Sequence, residues 1–203
     1  MKIGIIGGTF DPIHIGHLKI AEQASKEFEL DQIWFMPAGD PYFKEDLNVT
    51  SSELRLQMTR LCISDINKRY LVSDMEVLRK GKTYTSDTLT ELSKKYTEHE
   101  FYFIIGLDSL FQLHKWHRPD LIFDSSVILC AVRDDFNNED IVKRIDELKS
   151  LYPDSRCDIR ILHSDRIDIS STQIRQYVRD GIDISAYVTD SVLKFINQHS
   201  LYI

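Results

Sequence analysis

Apolar residues along the chain gather into short, nearly unbroken runs: Ile3 to Ile6, Gln32 to Met36, Phe101 to Ile105 and Val127 to Val132. Runs of that length, rich in Ile, Val and Phe, predict strands buried on both faces. Tyr70 to Met75 and Ile159 to Leu162 predict two further strands. Between them the spacing turns helical, over Leu18 to Phe28, Thr50 to Ser64, a segment after Thr83 that carries Leu89 and Leu92, Asn138 to Leu151, a segment after Ile169-Ser170-Ser171-Thr172 that runs through Arg179, and Thr189 to His199. Thr50-x-x-Glu53 reads as a capping box, with Leu54, Met58 and Leu61 on one face of the helix it opens. Strands separated by helices predict an α/β fold: a doubly wound, mostly parallel sheet with helices on both faces. There is no repeat, low-complexity tract or long linker. The chain therefore reads as one domain over 1–203, helical in its C-terminal part from about residue 170.

The stretch Gly7-Gly8-Thr9-Phe10-Asp11-Pro12-Ile13-His14-Ile15-Gly16-His17 joins the first strand to the first helix. In open α/β sheets, ligands bind beyond the carboxyl ends of strands. Two glycines allow close backbone approach, and Asp11-Pro12 is a turn signal. If the helix starts near Ile15, His14 and His17 face the same way, and two imidazoles at a helix start suit phosphate oxygens. Ile169-Ser170-Ser171-Thr172-Gln173-Ile174-Arg175 is the second such stretch. Ser171 or Thr172 would cap its helix, and with Arg175 one turn on, hydroxyls and exposed N–H groups form a cradle for an oxyanion. Asp108 follows a central strand, as a hydroxyl acceptor or a helix cap, and Trp116 is either a stacking platform or a core residue. His114 and His117 have no carboxylate cluster beside them and read as a solvated face.

With 203 residues and 42% hydrophobic content the chain can build a sizeable core. A net charge of −7 argues against nucleic acid as a partner, so a phosphate ligand must be drawn by a local basic site. No apolar run reaches the roughly 18 residues of a membrane span, and the immediate entry into a strand leaves no room for a signal peptide. Cys62, Cys130 and Cys157 lack metal spacing and fit the reducing cytoplasm, and Cys62 and Cys130, in apolar runs, read as buried thiols.

The first stretch resembles the signature of the nucleotidyltransferase superfamily that carries the (T/H)xGH motif. The second resembles the ISSTxIR motif of nicotinate and nicotinamide mononucleotide adenylyltransferases; glycerol-phosphate cytidylyltransferases share the first but carry a different second. Arg79-x-Gly81-x-x-Tyr84-Thr85-x-Asp87-Thr88-Leu89 is similar to the family's RxGxSYTxDTL segment, with Thr83 in place of Ser. Gly106-x-Asp108-x-Leu110-x-x-Leu113-x-x-Trp116 is similar to its GxDxLxxLxxW segment. The resemblance covers residue 3 to about residue 180 and is nearest to the bacterial nicotinate-type enzymes. In one loop the family reads Pro-Pro-His-Lys where this chain has Pro41-Tyr42-Phe43-Lys44, so the lysine is kept and the histidine's role cannot be carried over.

The resemblance implies a Rossmann-like fold and adenylyl transfer from ATP to nicotinate mononucleotide. It implies His14, His17, Lys44 and Arg175 as catalytic residues. ATP would lie against Gly7, Gly8, Thr9, Phe10, His14, His17, Gly106, Asp108, Ile169, Ser171, Thr172 and Arg175. The mononucleotide would lie against Thr9, Lys44, Tyr84, Thr85, Leu107, Trp116, His117 and Arg133. Magnesium would arrive on ATP, held by phosphate oxygens and not by a protein cage. Assembly into a homo-oligomer stays open. Phosphopantetheine adenylyltransferase shares the first motif type but is shorter and lacks the second. An NAD-dependent oxidoreductase is excluded by the missing G-x-G-x-x-G and by Pro37 at the end of strand two, where an acid would hold the ribose. A non-catalytic nucleotide sensor would not require both histidines, Lys44 and Arg175.

Overall fold

A computed structural model of the protein describes residues 1–39, 49–64, 66–133, 138–164 and 169–203. Lys44, Tyr42 and Phe43 lie outside the described residues, as does the side chain of Arg133. The elements run β1 (Lys2–Gly8), α1 (Ile15–Glu27), β2 (Gln32–Pro37), α2 (Ser52–Ile63), β3 (Tyr70–Val72), α3 (Met75–Leu78), α4 (Thr85–Lys95), β4 (Glu100–Gly106) and α5 (Leu107–Gln112). After a 3-10 turn at Leu113–Lys115 come α6 (Pro119–Ser125), β5 (Val127–Arg133), α7 (Asn138–Leu151), β6 (Ile159–Ser164), α8 (Ser171–Arg179) and α9 (Asp190–Gln198).

The strands form one six-stranded sheet in the order β3-β2-β1-β4-β5-β6. β4 runs parallel to β1, β5 to β4 and β6 to β5, with Ile3 opposite Phe101, Ile104 opposite Leu129 and Ala131 opposite Leu162. The order reverses at β1, whose neighbours are β2 and β4, which is the doubly wound pattern of a Rossmann-like fold. The turn that leaves β1 therefore sits where such sheets bind ligands.

The chain divides into two compact units, neither of them a continuous piece: Met1–Ile6, Ala21–Ile33 and Tyr84–Arg166 make one, and Gly7–Ile20, Trp34–Thr83 and Ile167–Ile203 the other. The core of the first is β4 and β5, where Phe101 to Ile105 and Val127 to Cys130 are all buried, as their unbroken apolar runs require. Leu110, Leu113, Ile122, Phe123, Ile141 and Leu148 complete it. The second unit buries Phe10, Ile13, Phe35, Met58, Ile174, Val192 and Ile196. All three cysteines are free and buried, and burial pushes the Cys130 thiol up to about 12 and those of Cys62 and Cys157 up to about 11.

Several expectations shift by a residue or more. Ser51, not Thr50, caps α2, its hydroxyl accepting the Leu54 N–H at 3.4 Å. The buried face of that helix is Arg55, Met58, Thr59 and Cys62, while Leu61 is 39% exposed. The stripe is rotated because a guanidinium with all its edges hydrogen-bonded can be buried among apolar neighbours. β3 stops at Val72, and the residues expected to extend it turn into the short helix α3. The helix α6 was not expected; Pro119 supplies its first residue, where a missing N–H costs nothing.

Gly39 marks a place where only a hydrogen fits. A Cβ there would collide with the backbone carbonyl oxygen of Glu76 and reach 3.3 Å from Thr83 Oγ1. Backbone cannot swing aside as a side chain can, so Gly39→Ala should lower stability by about 2 kcal/mol, the scale of a forced overpacking. Urea denaturation checks this, and an unchanged midpoint would contradict it.

Candidate functional site

In the second unit, the turn between β1 and α1 is built on its two histidines. His14 is the residue before the first turn of α1, and its Nδ1 accepts the Gly16 N–H at 3.1 Å. His17, three residues on, returns the favour: its Nδ1 accepts the His14 N–H at 3.2 Å. This is the reciprocal geometry of a capping box, made by imidazoles in place of a hydroxyl and a carboxylate. The rings lie 3.9 Å apart, tilted by 40°. A neutral imidazole that accepts at Nδ1 carries its proton at Nε2, so both rings become fixed Nε2–H donors. Burial holds the His14 imidazole down at about 4, and burial followed by the neighbouring His14 charge holds His17 well below its ordinary range.

The rest of the turn is pinned by its carbonyls. Thr9 O accepts from Arg55 Nη1 at 2.6 Å, Asp11 O from Arg175 Nη1 at 2.7 Å, and Pro12 O from Ser171 Oγ at 2.9 Å. The Asp11 carboxylate, 3% exposed, accepts Tyr202 OH at 2.7 Å and the Thr50 N–H at 3.3 Å. Burial and that carboxylate together raise the Tyr202 phenol far above its usual range. Between these anchors Phe10 takes a left-handed backbone, φ +50°, unusual for an aromatic residue. Its ring meets His17 edge-on at 4.9 Å and covers Gly8, where a Cβ would fall 2.9 Å from it. Gly8 is glycine for that contact.

Of the second sequence stretch, Ser170 and not Ser171 or Thr172 caps α8, accepting the Gln173 N–H at 3.2 Å. That leaves the Ser171 hydroxyl free to seat Pro12. Arg175 spends part of its fork on Asp11 and on Thr172 Oγ1 at 3.2 Å. Ile169 is buried beside the cap. His14, His17, Thr9, Phe10, Ser171, Thr172 and Arg175 are thus one connected set.

In the first unit, Tyr84 precedes α4 without a side-chain cap, so the opening N–H groups of Thr85 and Ser86 receive none. His117 stacks on the Tyr84 ring at 4.1 Å and 28°. Trp116 is half-buried, its ring edge-on to Phe103 at 6.3 Å and its backbone N–H donated to Leu113 O. Gly106 and Asp108 are exposed, and Leu107 half-buried, at the start of α5; Gly106 holds the cap position, so Asp108 does not. His114 and His117 are both exposed, as a solvated face requires, and His114 Nδ1 also meets Arg144 Nη2. Arg133 ends β5. Among the described residues no group of three or more His, Cys, Asp and Glu could hold a metal. Sequence reasoning missed Arg55, Asp11's carboxylate contacts and Tyr202. A charged residue in the middle of the apolar arc formed by Leu56, Met58, Cys62 and Ile63 was the available signal for the first.

The profile of the Cytidylyltransferase-like family matches residues 5–177. A probable nicotinate-nucleotide adenylyltransferase of Lachnoclostridium phytofermentans is 41% identical over 202 residues, spanning 100% of this chain and 99% of that one. One from Desulfitobacterium hafniense is 38% identical over 201 residues, 99% of this chain and 95% of the relative. Among solved structures, Plasmodium falciparum nicotinic acid mononucleotide adenylyltransferase complexed with NaAD superposes with a TM-score of 0.79 at 22% identity, covering 99% and 97% of the two chains.

The lowered histidines make stability depend on pH. A group whose folded pKa is depressed contributes stability above its unfolded value, near 6.5, that is lost as pH falls toward its folded value. Taking His14 from 6.5 to about 4, native stability should drop by about 2.5 kcal/mol between pH 7 and about pH 4.5 through this residue alone. Urea unfolding of wild type and His14→Gln at both pH values isolates it. The variant should lose that much less on acidification, and parallel losses would contradict the assignment.

Proposed function

The chain belongs to the cytidylyltransferase-like family, and we propose that it is a nicotinate-nucleotide adenylyltransferase of NAD biosynthesis. It transfers AMP from ATP to nicotinate mononucleotide, giving deamido-NAD and pyrophosphate. The observation that carries this reading is the pair of neutral imidazoles, locked as Nε2–H donors at the end of β1, in a chain with close relatives of that name. A phosphate oxygen of the mononucleotide attacks the α-phosphorus of ATP. A new P–O bond forms, the bond to the bridging α–β oxygen breaks, and its electron pair leaves with pyrophosphate. The nucleophile is already an anion, so no strong base is required. The barrier lies in bringing two anions together and in the charge that builds on the passing phosphoryl group. Donors fixed before the substrate arrives cost no reorganisation at that moment.

His14 and His17 donate from Nε2 to phosphate oxygens. Lys44 and the uncommitted N–H groups of Arg175 neutralise the triphosphate, and the Gly7 to Phe10 backbone, Ile169, Ser171 and Thr172 flank it. Gly106 and Asp108 take the adenosine side, the carboxylate accepting from a ribose hydroxyl. Magnesium, when bound, would screen the phosphates and be held by their oxygens. Nicotinate mononucleotide is assigned to Thr9, Lys44, Tyr84, Thr85, Leu107, Trp116, His117 and Arg133. Residues 1–203 act as one nucleotidyltransferase domain in the cytoplasm, where three unpaired cysteines stay reduced.

The acid substrate is favoured over the amide by the uncapped start of α4. A carboxylate accepts from every donor there, whereas an amide turns its NH₂ on one of them and loses its charge. An unpaired donor costs about 1–3 kcal/mol, so the preference should be roughly a hundredfold or more in kcat/KM. Pyrophosphate release from ATP with each mononucleotide measures it. A ratio near one would refute the acid assignment, and no release with either would refute adenylyl transfer.

A further inference from the structure

Arg55 is 1% exposed in α2, a charged side chain in the middle of a buried helix face. Its guanidinium reaches three backbone carbonyls from distant parts of the second unit: Thr9 through Nη1 at 2.6 Å, Gly39 through Nη2 at 2.7 Å and Thr50 through Nε at 2.8 Å. Thr50 passes the connection on, since its N–H donates to Asp11 Oδ2 at 3.3 Å. Arg55 therefore grips the turn on both sides of Phe10, directly at Thr9 and through Thr50 at Asp11. Phe10 holds the left-handed backbone, and its ring abuts His17.

A buried charge is a poor way to gain stability, because apolar side chains of similar volume usually do as well. A planar fork is a good way to fix three carbonyls at set distances and angles. Unfavourable backbone torsions persist only where the surroundings over-determine them, and they cluster where geometry matters for function. We propose that Arg55 is a positioning residue for phosphoryl transfer: it holds Thr9 and Asp11 so that Phe10 keeps its strained conformation and His17 keeps its aim. It touches no substrate. The proposal rests on the adenylyl-transfer reading for its kinetic consequence, but not for its structural one.

The test pairs Arg55→Lys, which keeps the charge but has one nitrogen for three carbonyls, with Arg55→Met, which keeps the volume. In both, amide hydrogen exchange over residues 9–17 should quicken by about tenfold or more without substrate, while exchange in α7 stays as in wild type. In steady-state assays kcat should fall by about a hundredfold, the usual effect of a small misplacement, with both KM values within about threefold. Melting temperature is followed in parallel. An unchanged exchange rate over 9–17, a kcat within about threefold of wild type, or a rise in KM alone would overturn the proposal. So would loss of activity that merely tracks melting temperature, or failure of both variants to fold. A wild type that forms no pyrophosphate would refute the functional reading, and the exchange arm would still decide this one.

Discussion

Each of the two histidines at the start of α1 uses one ring nitrogen to satisfy a backbone N–H of the same turn. That exchange settles three things at once. It caps the helix without Ser, Thr, Asp or Asn, the residues that ordinarily do so. It fixes the tautomer, because a neutral ring that accepts at Nδ1 must donate at Nε2. It also keeps the rings uncharged, since burial with a neighbouring imidazole penalises the second proton. The two rings are thus neutral donors whose direction is set before any ligand arrives.

Rings so placed need a turn that does not move. Its carbonyls at Thr9, Asp11 and Pro12 are taken by Arg55, Arg175 and Ser171, from α2 and α8. The buried Asp11 carboxylate gathers Thr50 and Tyr202 onto the same turn. Helices far apart in sequence thus converge on one short stretch of backbone. In a chain of net charge −7 this places arginines where the overall field would not. Arg175 spends part of its fork on the turn and part on Thr172.

How much of this could be read from the sequence follows from which interactions have an address there. The turn at 7–17 was legible because its residues are contiguous and chemically unusual. β4 and β5 were legible because burial on both faces leaves an unbroken apolar run, and α7 matched its expected bounds at both ends. The caps slipped by one residue because Thr50-Ser51 and Ser170-Ser171 are neighbouring hydroxyl residues that only tertiary surroundings tell apart. Ser171 is called away by Pro12, and Ser170 is left to cap. Arg55 stayed hidden because its partners are carbonyls at 9, 39 and 50, and a carbonyl is the same at every residue. Tyr202 was hidden for a related reason: 191 residues separate it from the carboxylate it binds.

The aim of both rings depends on the protonation of two imidazoles, which nitrogen-15 NMR of the histidine rings reads directly. Spectra of the free protein at neutral pH, then with a non-hydrolysable ATP analogue, should show His14 and His17 unprotonated at Nδ1 and protonated at Nε2 in both states, with the Nε2 signals shifting as they meet phosphate. A proton on Nδ1 of either ring, or two imidazolium rings in the free protein, would contradict it.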